Sequence, residues 1–298
     1  MKKAIILAII LTAVLCISGN LLAVCPSADL TGDCIVNLAD FAKMAEQWLT
    51  EGIQDITWVS INDSGAGMKD ESGSPISHGG FTGEMSKYET TNAQYCQYLN
   101  AAKASNQITV YNNIVYATSD TSHSKPYFYT YEASSYSQIT YSGGTFSVCS
   151  RDGYSMANHP VVCISWYGSM AFASYYGWRL PTEWEWQAVA DYDGSYTYGC
   201  GITISKSKAN YYENGYANPL GLTSYPYTSP VGYYPAYGYG VCDMAGNVWE
   251  WTSSIYSDSY RVRCGGSWGY YVDYCSVSFR DTGFPGSAGS NVGFRVCR

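Results

Sequence analysis

The acidic segment between residues 29 and 40 has the composition and spacing of a loop that binds a metal ion. When the first aspartate is taken as position 1 of a calcium loop, position 12 is also a carboxylate. Side-chain oxygens, or a backbone carbonyl at the isoleucine, then fall at the ligand positions: Asp29, Thr31, Asp33, Ile35, Asn37 and Asp40. Calcium prefers such oxygen ligands, so the spacing predicts a calcium site that opens a helix.

This loop departs from the EF-hand pattern, because position 3 is Thr, position 6 lacks Gly and position 12 is Asp. It resembles one calcium-loop-and-helix half of a type I dockerin, whose loop also ends in Asn-Leu-x-Asp. A complete dockerin has two such halves, and only one is found here. The alternative is an amphipathic helix with a polar cap and a disulfide between Cys25 and Cys34. We expect calcium binding, and docking to a partner stays open.

The N-terminal 24 residues are typical of an export signal. Lys2 and Lys3 precede the apolar run 4–17, which is shorter than the roughly 20 residues of a membrane span. Cleavage would remove Cys16, so ten of the 11 cysteines would remain. An even number in an oxidising compartment predicts disulfides for most of them. We therefore expect a secreted protein that does not associate with membranes after signal cleavage.

Composition limits the classes of partner. The chain has 298 residues, is 46% hydrophobic, and has 24 acidic against 16 basic residues, for a net charge of −8. Such an acidic surface repels phosphate backbones, which argues against a nucleic-acid partner. The 31 Tyr and 9 Trp would suit a glycan or protein ligand, although most of these rings must be structural.

After a short linker, the main domain is expected over residues 55–298, preceded by the dockerin-like module at 25–50. Three helices are predicted in the main domain from their N-terminal caps. The caps and the segments that follow them are Thr91 before 92–102, Ser165 before 166–176, and Thr182 with Glu185 before 186–190. The rest should be short strands and turns, with an irregular β excursion at 105–155.

Six separated strings occur in a fixed order along the main domain: Lys87–Tyr95, His159–Val162, Arg179–Trp186, Asp243–Trp251, Gly265–Trp268 and Gly293–Arg295. Together they closely resemble the formylglycine-generating enzyme, or sulfatase-modifying factor, family. The resemblance implies one α+β domain of the loop-rich type related to C-type lectins, with few regular elements and calcium ions that hold loops.

Active members of that family oxidise a cysteine of a sulfatase to formylglycine with molecular oxygen. Two cysteines five positions apart, just after Gly-Gly-Ser, hold the copper(I) ion, a soft metal that thiolates select. Here Cys275 fills the second position, but Tyr270 stands at the first. A phenol is a harder ligand with a pKa near 10, so copper binding is not expected. Cys264 could replace the missing thiolate only if the loop folded differently.

The resemblance also implies roles for other residues. Ser267 and Trp249 stand where the family lines its substrate groove, with a core or turn role as the alternative. The implied calcium ligands are Asp243, the carbonyls of Gly246 and Val248, and Glu250. A second calcium site would use Asn210 and the carbonyl of Tyr211, but its expected aspartate is absent from residues 222–226.

The leading hypothesis is therefore a secreted, calcium-stabilised domain that binds a protein or glycan without catalysis. The alternative is a formylglycine-generating oxidase with an altered site, for which a sulfatase would be the client. Other catalytic sites have little support. Of the three histidines, His159 precedes a proline within a packing string, which favours a core role.

Overall fold

The computed structural model describes residues 35–40 and 56–298. By its Cα packing the chain divides into two units, Met1–Gly52 and Ile53–Arg298. The predicted leader and several predicted site residues lie outside the described residues, namely Cys25, Asp29, Thr31, Asp33 and Cys34. None of the helices in the described part has the length and apolar character needed to cross a bilayer.

Within residues 35–40, a helix begins at Leu38. Asn37 caps it, since its Oδ1 atom accepts a hydrogen bond of 2.7 Å from the Ala39 amide. The Asp40 carboxylate in turn accepts one of 2.8 Å from the Asn37 amide. A helix thus starts where the loop was predicted to end. Calcium binding by Ile35, Asn37 and Asp40 stays a prediction.

The second unit contains three helices and thirteen short strands within its described residues. The helices are α1 (Asn92–Ala104), α2 (Trp166–Tyr175) and α3 (Glu183–Ala190). The strands are β1 (Trp58–Asn62), β2 (Thr82–Ser86), β3 (Ile108–Tyr111), β4 (Ile114–Ala117), β5 (Phe128–Tyr129), β6 (Ile139–Ser142), β7 (Thr145–Val148), β8 (Ser150–Arg151), β9 (Tyr154–Ser155), β10 (Trp249–Ser257), β11 (Tyr260–Cys264), β12 (Asp281–Gly283) and β13 (Val292–Gly293). The domain is mixed, loop-rich and has few helices, as expected.

The predicted caps start all three helices. Thr91 and Gln94 form a reciprocal capping box on α1, and Thr182 and Glu185 form another on α3. The Ser165 hydroxyl accepts the hydrogen bond of the Gly168 amide at the start of α2. Each cap satisfies backbone N–H groups that have no partner within the helix. These local signals explain why the helix starts were predictable.

The largest sheet has the strand order β12-β11-β10-β13. Strand β10 pairs antiparallel with β11, with Glu250 opposite Cys264, and parallel with β13, with Trp249 opposite Val292. Because side chains alternate between the faces of a strand, Trp249 and Trp251 share one face and Glu250 lies on the other. The two tryptophans pack in one hydrophobic cluster, and the Glu250 face meets a second cluster around Trp186.

The predicted β excursion at 105–155 consists of three small sheets, β3-β4-β5, β6-β7 and β8-β9. Their hairpins pair antiparallel in register, for example Ile139 opposite Val148. The apolar residues Ile108, Val115 and Ile139 are buried in the same cluster as Leu99 of α1. The segment is therefore packed onto the domain core and is more regular than the sequence indicated.

Candidate functional site

Cys275, the retained candidate copper ligand, is buried at the end of a 3₁₀ helix, Val272–Cys275. Gly266 lies directly against it, since a Cβ atom at that glycine would be 2.5 Å from the Cys275 sulfur. Burial raises the pKa of the Cys275 thiol to about 12. The side chain is therefore a thiol at neutral pH, whereas reactive cysteines have a lowered pKa and partial exposure.

Tyr270 packs as an aromatic core residue. Its ring centroid lies 5.5 Å from that of Trp249 and 5.2 Å from that of Tyr274, both edge to face. Tyr270 contacts the first hydrophobic cluster, Cys264 belongs to the second, and Cys275 belongs to a third. The three candidate ligands thus pack against three different hydrophobic clusters. This donor set does not fit a copper(I) ion.

The cysteines correct one sequence expectation. All eight cysteines of the described residues are free, so the expected disulfides are not formed among them. Most are buried among apolar side chains, where cysteine packs as a small hydrophobe. Sequence reasoning also missed Cys200, which shares the third cluster with Cys275. Their separation along the chain gives no signal of this proximity.

Ser267 and Trp249 are both buried. The Ser267 hydroxyl accepts a hydrogen bond of 3.2 Å from the Asn291 side-chain amide. The Trp249 indole packs against Tyr270 and Phe279. Both residues are thus packed inside the domain, and their role in lining a substrate groove stays a prediction.

The predicted calcium turn begins at Asp243. Backbone φ angles are positive at Asp243, Gly246 and Asn247, at 59°, 76° and 62°. A side chain at Gly246 is excluded, because its Cβ would lie 2.3 Å from the Asn210 carbonyl oxygen. The Asp243 carboxylate is buried and accepts a 2.7 Å hydrogen bond from the Gly232 amide. Burial raises its pKa to about 6.

Glu250, the other predicted carboxylate ligand, is the partner of Arg295. Two hydrogen bonds of 2.6 and 2.7 Å join the guanidinium to the two carboxylate oxygens. The Trp186 indole N–H donates a third, of 2.7 Å, to Oε2. Both charged side chains are almost fully buried. Glu250 is therefore part of a buried ion pair, and its role as a calcium ligand stays a prediction.

Sequence reasoning missed Glu89 as part of this turn. Its carboxylate accepts hydrogen bonds from the Asn247 side chain, at 2.6 Å, and the Val248 amide, at 3.2 Å. Burial, with the charges of Asp243 and Glu250 nearby, raises the pKa of Glu89 well above its ordinary value. The sequence did contain a signal for Glu89, because this residue lies within Lys87–Tyr95, the first of the six family strings.

Three buried carboxylates, Glu89, Asp243 and Glu250, thus surround one guanidinium, that of Arg295. When all three carboxylates are ionised, their charge exceeds that of Arg295, and a divalent cation would neutralise the excess. In the described part of the chain, no three His, Cys, Asp or Glu side chains converge to hold a metal by themselves. Asp243 and backbone carbonyl oxygens are ligands of the kind that calcium prefers. Glu250 is less available as a ligand, because its Oε1 atom already accepts a hydrogen bond from Arg295 and keeps only part of its lone-pair capacity.

The second implied calcium site contains an unsatisfied oxygen. The Asn210 side-chain amide donates to the Tyr227 carbonyl at 2.8 Å and to the Asn247 side chain at 3.3 Å. Its Oδ1 atom is buried and has no hydrogen-bond partner. Such an orphaned acceptor is compatible with a metal ligand. The Tyr211 hydroxyl donates to Glu213, and its carbonyl is the predicted ligand atom.

The Sulfatase-modifying factor enzyme 1-like domain model matches residues 64–298. The chain belongs to this family. The match includes every predicted site residue of the main domain. It also includes all three helices and all but the first strand.

Curated relatives cover only part of the chain. The serine/threonine-protein kinase pkn1 of Chlamydia caviae is 36% identical over 163 residues, 48% of this chain and 24% of the kinase. The formylglycine-generating enzyme of Thermomonospora curvata is 31% identical over 166 residues, 46% of this chain and 55% of the enzyme. The chain thus spans about a quarter of the kinase and about half of the enzyme.

Solved structures share the fold at low identity. CarF matches with a TM-score of 0.55 and 20% identity, covering 83% of this chain and 99% of CarF. PvdO from Pseudomonas aeruginosa matches with a TM-score of 0.51 and 19% identity, covering 81% of this chain and 90% of PvdO. These likenesses support the expected loop-rich fold.

Proposed function

We propose that this sulfatase-modifying-factor-type domain binds a ligand without catalysing formylglycine formation. The observation that carries the proposal is the burial of Cys275 beneath Gly266, with Tyr270 packed on Trp249 where a second thiolate would stand. A copper ion there would have one soft ligand, in its protonated form. The family includes named formylglycine-generating enzymes, so the oxidase is the alternative.

A direct assay tests the proposal. Purified, copper-loaded protein is incubated in air with a Cys-x-Pro-x-Arg peptide, and the peptide mass is followed. The enzyme of Thermomonospora curvata serves as the positive control. We expect no conversion of the thiol to an aldehyde. Conversion that disappears in Cys275→Ser would overturn the proposal, and its loss in Cys264→Ser would show a rebuilt thiolate pair.

The ligand surface that we propose is a cleft of about 870 Å³. Four tyrosines line it, Tyr131, Tyr136, Tyr225 and Tyr227, of which the first three are 46%, 45% and 40% exposed. Ser and Thr hydroxyls and the Arg151 side chain also line it, and no carboxylate is part of the described lining. Aromatic faces interleaved with hydroxyl groups match the alternating apolar and polar surface of a neutral oligosaccharide.

Contacts within and beside the cleft hold these rings in place. Arg151 donates hydrogen bonds to the carbonyls of Ser224, Tyr225 and Pro226. The Trp268 ring lies 5.2 Å from the ring of Tyr225. A preorganised surface loses less conformational entropy when a ligand binds, which favours recognition.

Titration calorimetry with neutral xylo- and cello-oligosaccharides tests this surface. We expect binding that weakens at least tenfold in Tyr131→Ala and Tyr225→Ala. The matched control is Tyr256→Ala, which removes a tyrosine that is 68% exposed on β10. No binding, or equal binding by all variants, would overturn the saccharide ligand and favour a protein ligand.

We also propose that calcium stabilises the Asp243 turn and that the chain is exported by its N-terminal leader. Calcium would supply the positive charge that Glu89 and Asp243 lack, and Asp243 would be its carboxylate ligand. A chelator should lower the melting temperature of the protein, and Asp243→Asn should reduce that shift. An unchanged melting curve of the unmutated protein in chelator would overturn the calcium proposal.

A further inference from the structure

Asp191 is a buried carboxylate that the proposed function does not use. It follows the last residue of α3 and is 2% exposed. Neither of its carboxylate oxygens has a hydrogen-bond partner. Burial raises the pKa of the Asp191 carboxyl to about 7; the Gly194 amide and the Gln187 side chain lower it in part, but neither makes a well-formed hydrogen bond to it. Burial of an unpartnered carboxylate costs free energy unless something else satisfies it.

The position of Asp191 makes a negative charge still less favourable. The C-terminal end of a helix carries the negative end of the helix dipole, which favours cations and disfavours carboxylates. The nearby carboxylate of Asp63 adds to this repulsion. Both carboxylate oxygens of Asp63 already accept a hydrogen bond, one of 2.6 Å from the Gly65 amide and one of 2.5 Å from the Tyr239 hydroxyl.

No cationic side chain of the described residues forms an ion pair with Asp191. Arg280, the buried cation on this side of α3, pairs with Glu183 and donates to Gln187. Lys69 is exposed and offers its backbone carbonyl to the Gln187 side chain at 2.8 Å. Arg280 is therefore committed elsewhere, whereas Lys69 lines the same cavity as Asp191 without forming an ion pair with it.

Asp191 lines a cavity of about 340 Å³, whose other lining residues include Lys69, Val277 and several side chains that carry oxygen atoms. The loop around Asp70 forms one wall, and the segment after Asp191 forms another. Hydroxyl and carboxylate groups among the lining residues include Glu71, Ser72, Tyr196, Thr197 and Ser278. The backbones of Gly67 and Gly194 approach so closely that a Cβ at either would overlap the other chain segment. The cavity is large enough for a cation with bound waters.

We propose that Asp191 is the anchoring ligand of a calcium ion in this cavity. Lining oxygens and water would complete the coordination, as hard divalent cations require. The site is separate from the Asp243 turn and from the tyrosine-lined cleft. The inference does not depend on the proposed function.

Calorimetric titration of the full chain with Ca²⁺ after chelation tests the proposal. We expect Asp191→Asn to bind one fewer ion per chain, or to bind it at least tenfold more weakly. The matched control is Asp258→Asn, the same substitution at an exposed turn between β10 and β11. Asp243→Asn should keep this ion, which separates it from the ion proposed at the turn.

A second variant keeps the test valid if Asp191→Asn fails to fold. Thr197→Lys places an ammonium group at an exposed position in the cavity wall and should weaken the same ion. Calcium stoichiometry and affinity that are unchanged in folded Asp191→Asn or in Thr197→Lys would overturn the proposal. Folding is checked by circular dichroism of each variant.

Discussion

Glu250 and Asp191 are buried to almost the same extent, at 1% and 2% exposure, yet their surroundings differ completely. Glu250 accepts three hydrogen bonds, two from the guanidinium of Arg295 and one from the indole of Trp186. Asp191 accepts none. A buried charge with full hydrogen bonding is part of the structure, whereas one without partners is available to a ligand.

The largest expected effect follows from breaking the Glu250 pair. Glu250→Ala leaves Arg295 buried and unpaired, which should lower the free energy of unfolding by about 3 to 5 kcal/mol in urea denaturation. The control is Glu84→Ala, which removes the exposed pair with Arg298 and should cost about 0 to 1 kcal/mol. Equal losses in both variants would contradict the structural role of Glu250. Because Arg295 is affected, this variant does not test calcium binding.

His159 is a buried histidine whose protonation should make the stability of the protein depend on pH. Burial lowers the pKa of His159 to about 4 from 6.5, and its Nδ1 lies 2.9 Å from the Thr228 hydroxyl. Between pH 6.5 and 4 the histidine of the unfolded state binds more protons, so the contribution of His159 to stability is full above about pH 6.5 and is lost as the pH falls towards 4. The raised pKa values of Asp243 and Glu89 act in the opposite direction, which is why the variant without His159 is the measurement that isolates this contribution. The loss should be on the order of 3 kcal/mol at pH 4.

Urea denaturation between pH 4 and pH 8 measures this loss. His159→Gln should flatten the dependence between pH 6.5 and 4, because the titrating group is removed. An identical pH dependence in the variant would show that other groups cause the acid sensitivity. The structure also supports the core role that the sequence favoured for His159.

The hydrogen bond from the Trp186 indole to Glu250 should contribute less to stability than the ion pair with Arg295. Trp186→Phe removes the indole donor and keeps the ion pair with Arg295, so the free energy of unfolding should fall by about 1 to 3 kcal/mol. Trp184→Phe, on the same helix, is the control and should cost less, since that residue is only partly buried. A larger loss in Trp184→Phe would contradict the importance of the indole hydrogen bond.

The sequence predicted what depends on neighbours along the chain. The caps Thr91, Ser165 and Thr182 each act within one helical turn, so their effects follow from local spacing. The family strings identified the fold, because several of them occur in order. They could not show that Glu250 pairs with Arg295, since those residues are 45 positions apart and meet only when the domain folds.

Two features of the molecule could not be predicted from the sequence, for a similar reason: the state of the cysteines and the surroundings of Asp191. An even number of cysteines predicts disulfides only if the thiols meet in bonding geometry, and even Cys200 and Cys275, which share a cluster, are both free. Asp191 ends a helix with no recognised pattern around it, and an aspartate there is ordinarily a solvated residue. Its significance comes from burial and missing partners, which are properties of the fold.

Removal of the Asp191 carboxyl should change the free energy of unfolding in the opposite direction to the loss expected for Glu250→Ala. In chelator, Asp191→Asn removes an unpartnered buried carboxyl group, whose pKa burial raises to about 7, so the free energy of unfolding above that pH should rise by about 1 kcal/mol or more. In excess calcium, the unmutated protein gains the binding free energy of the ion and the variant does not, so the variant should become the less stable of the two. Urea denaturation in both conditions, with Asp258→Asn as the control, measures this crossing. If Asp191→Asn changes stability equally with and without calcium, the carboxylate binds no ion. Its burial would then be a cost of the fold alone, and the contrast with Glu250 would be one of hydrogen bonding only.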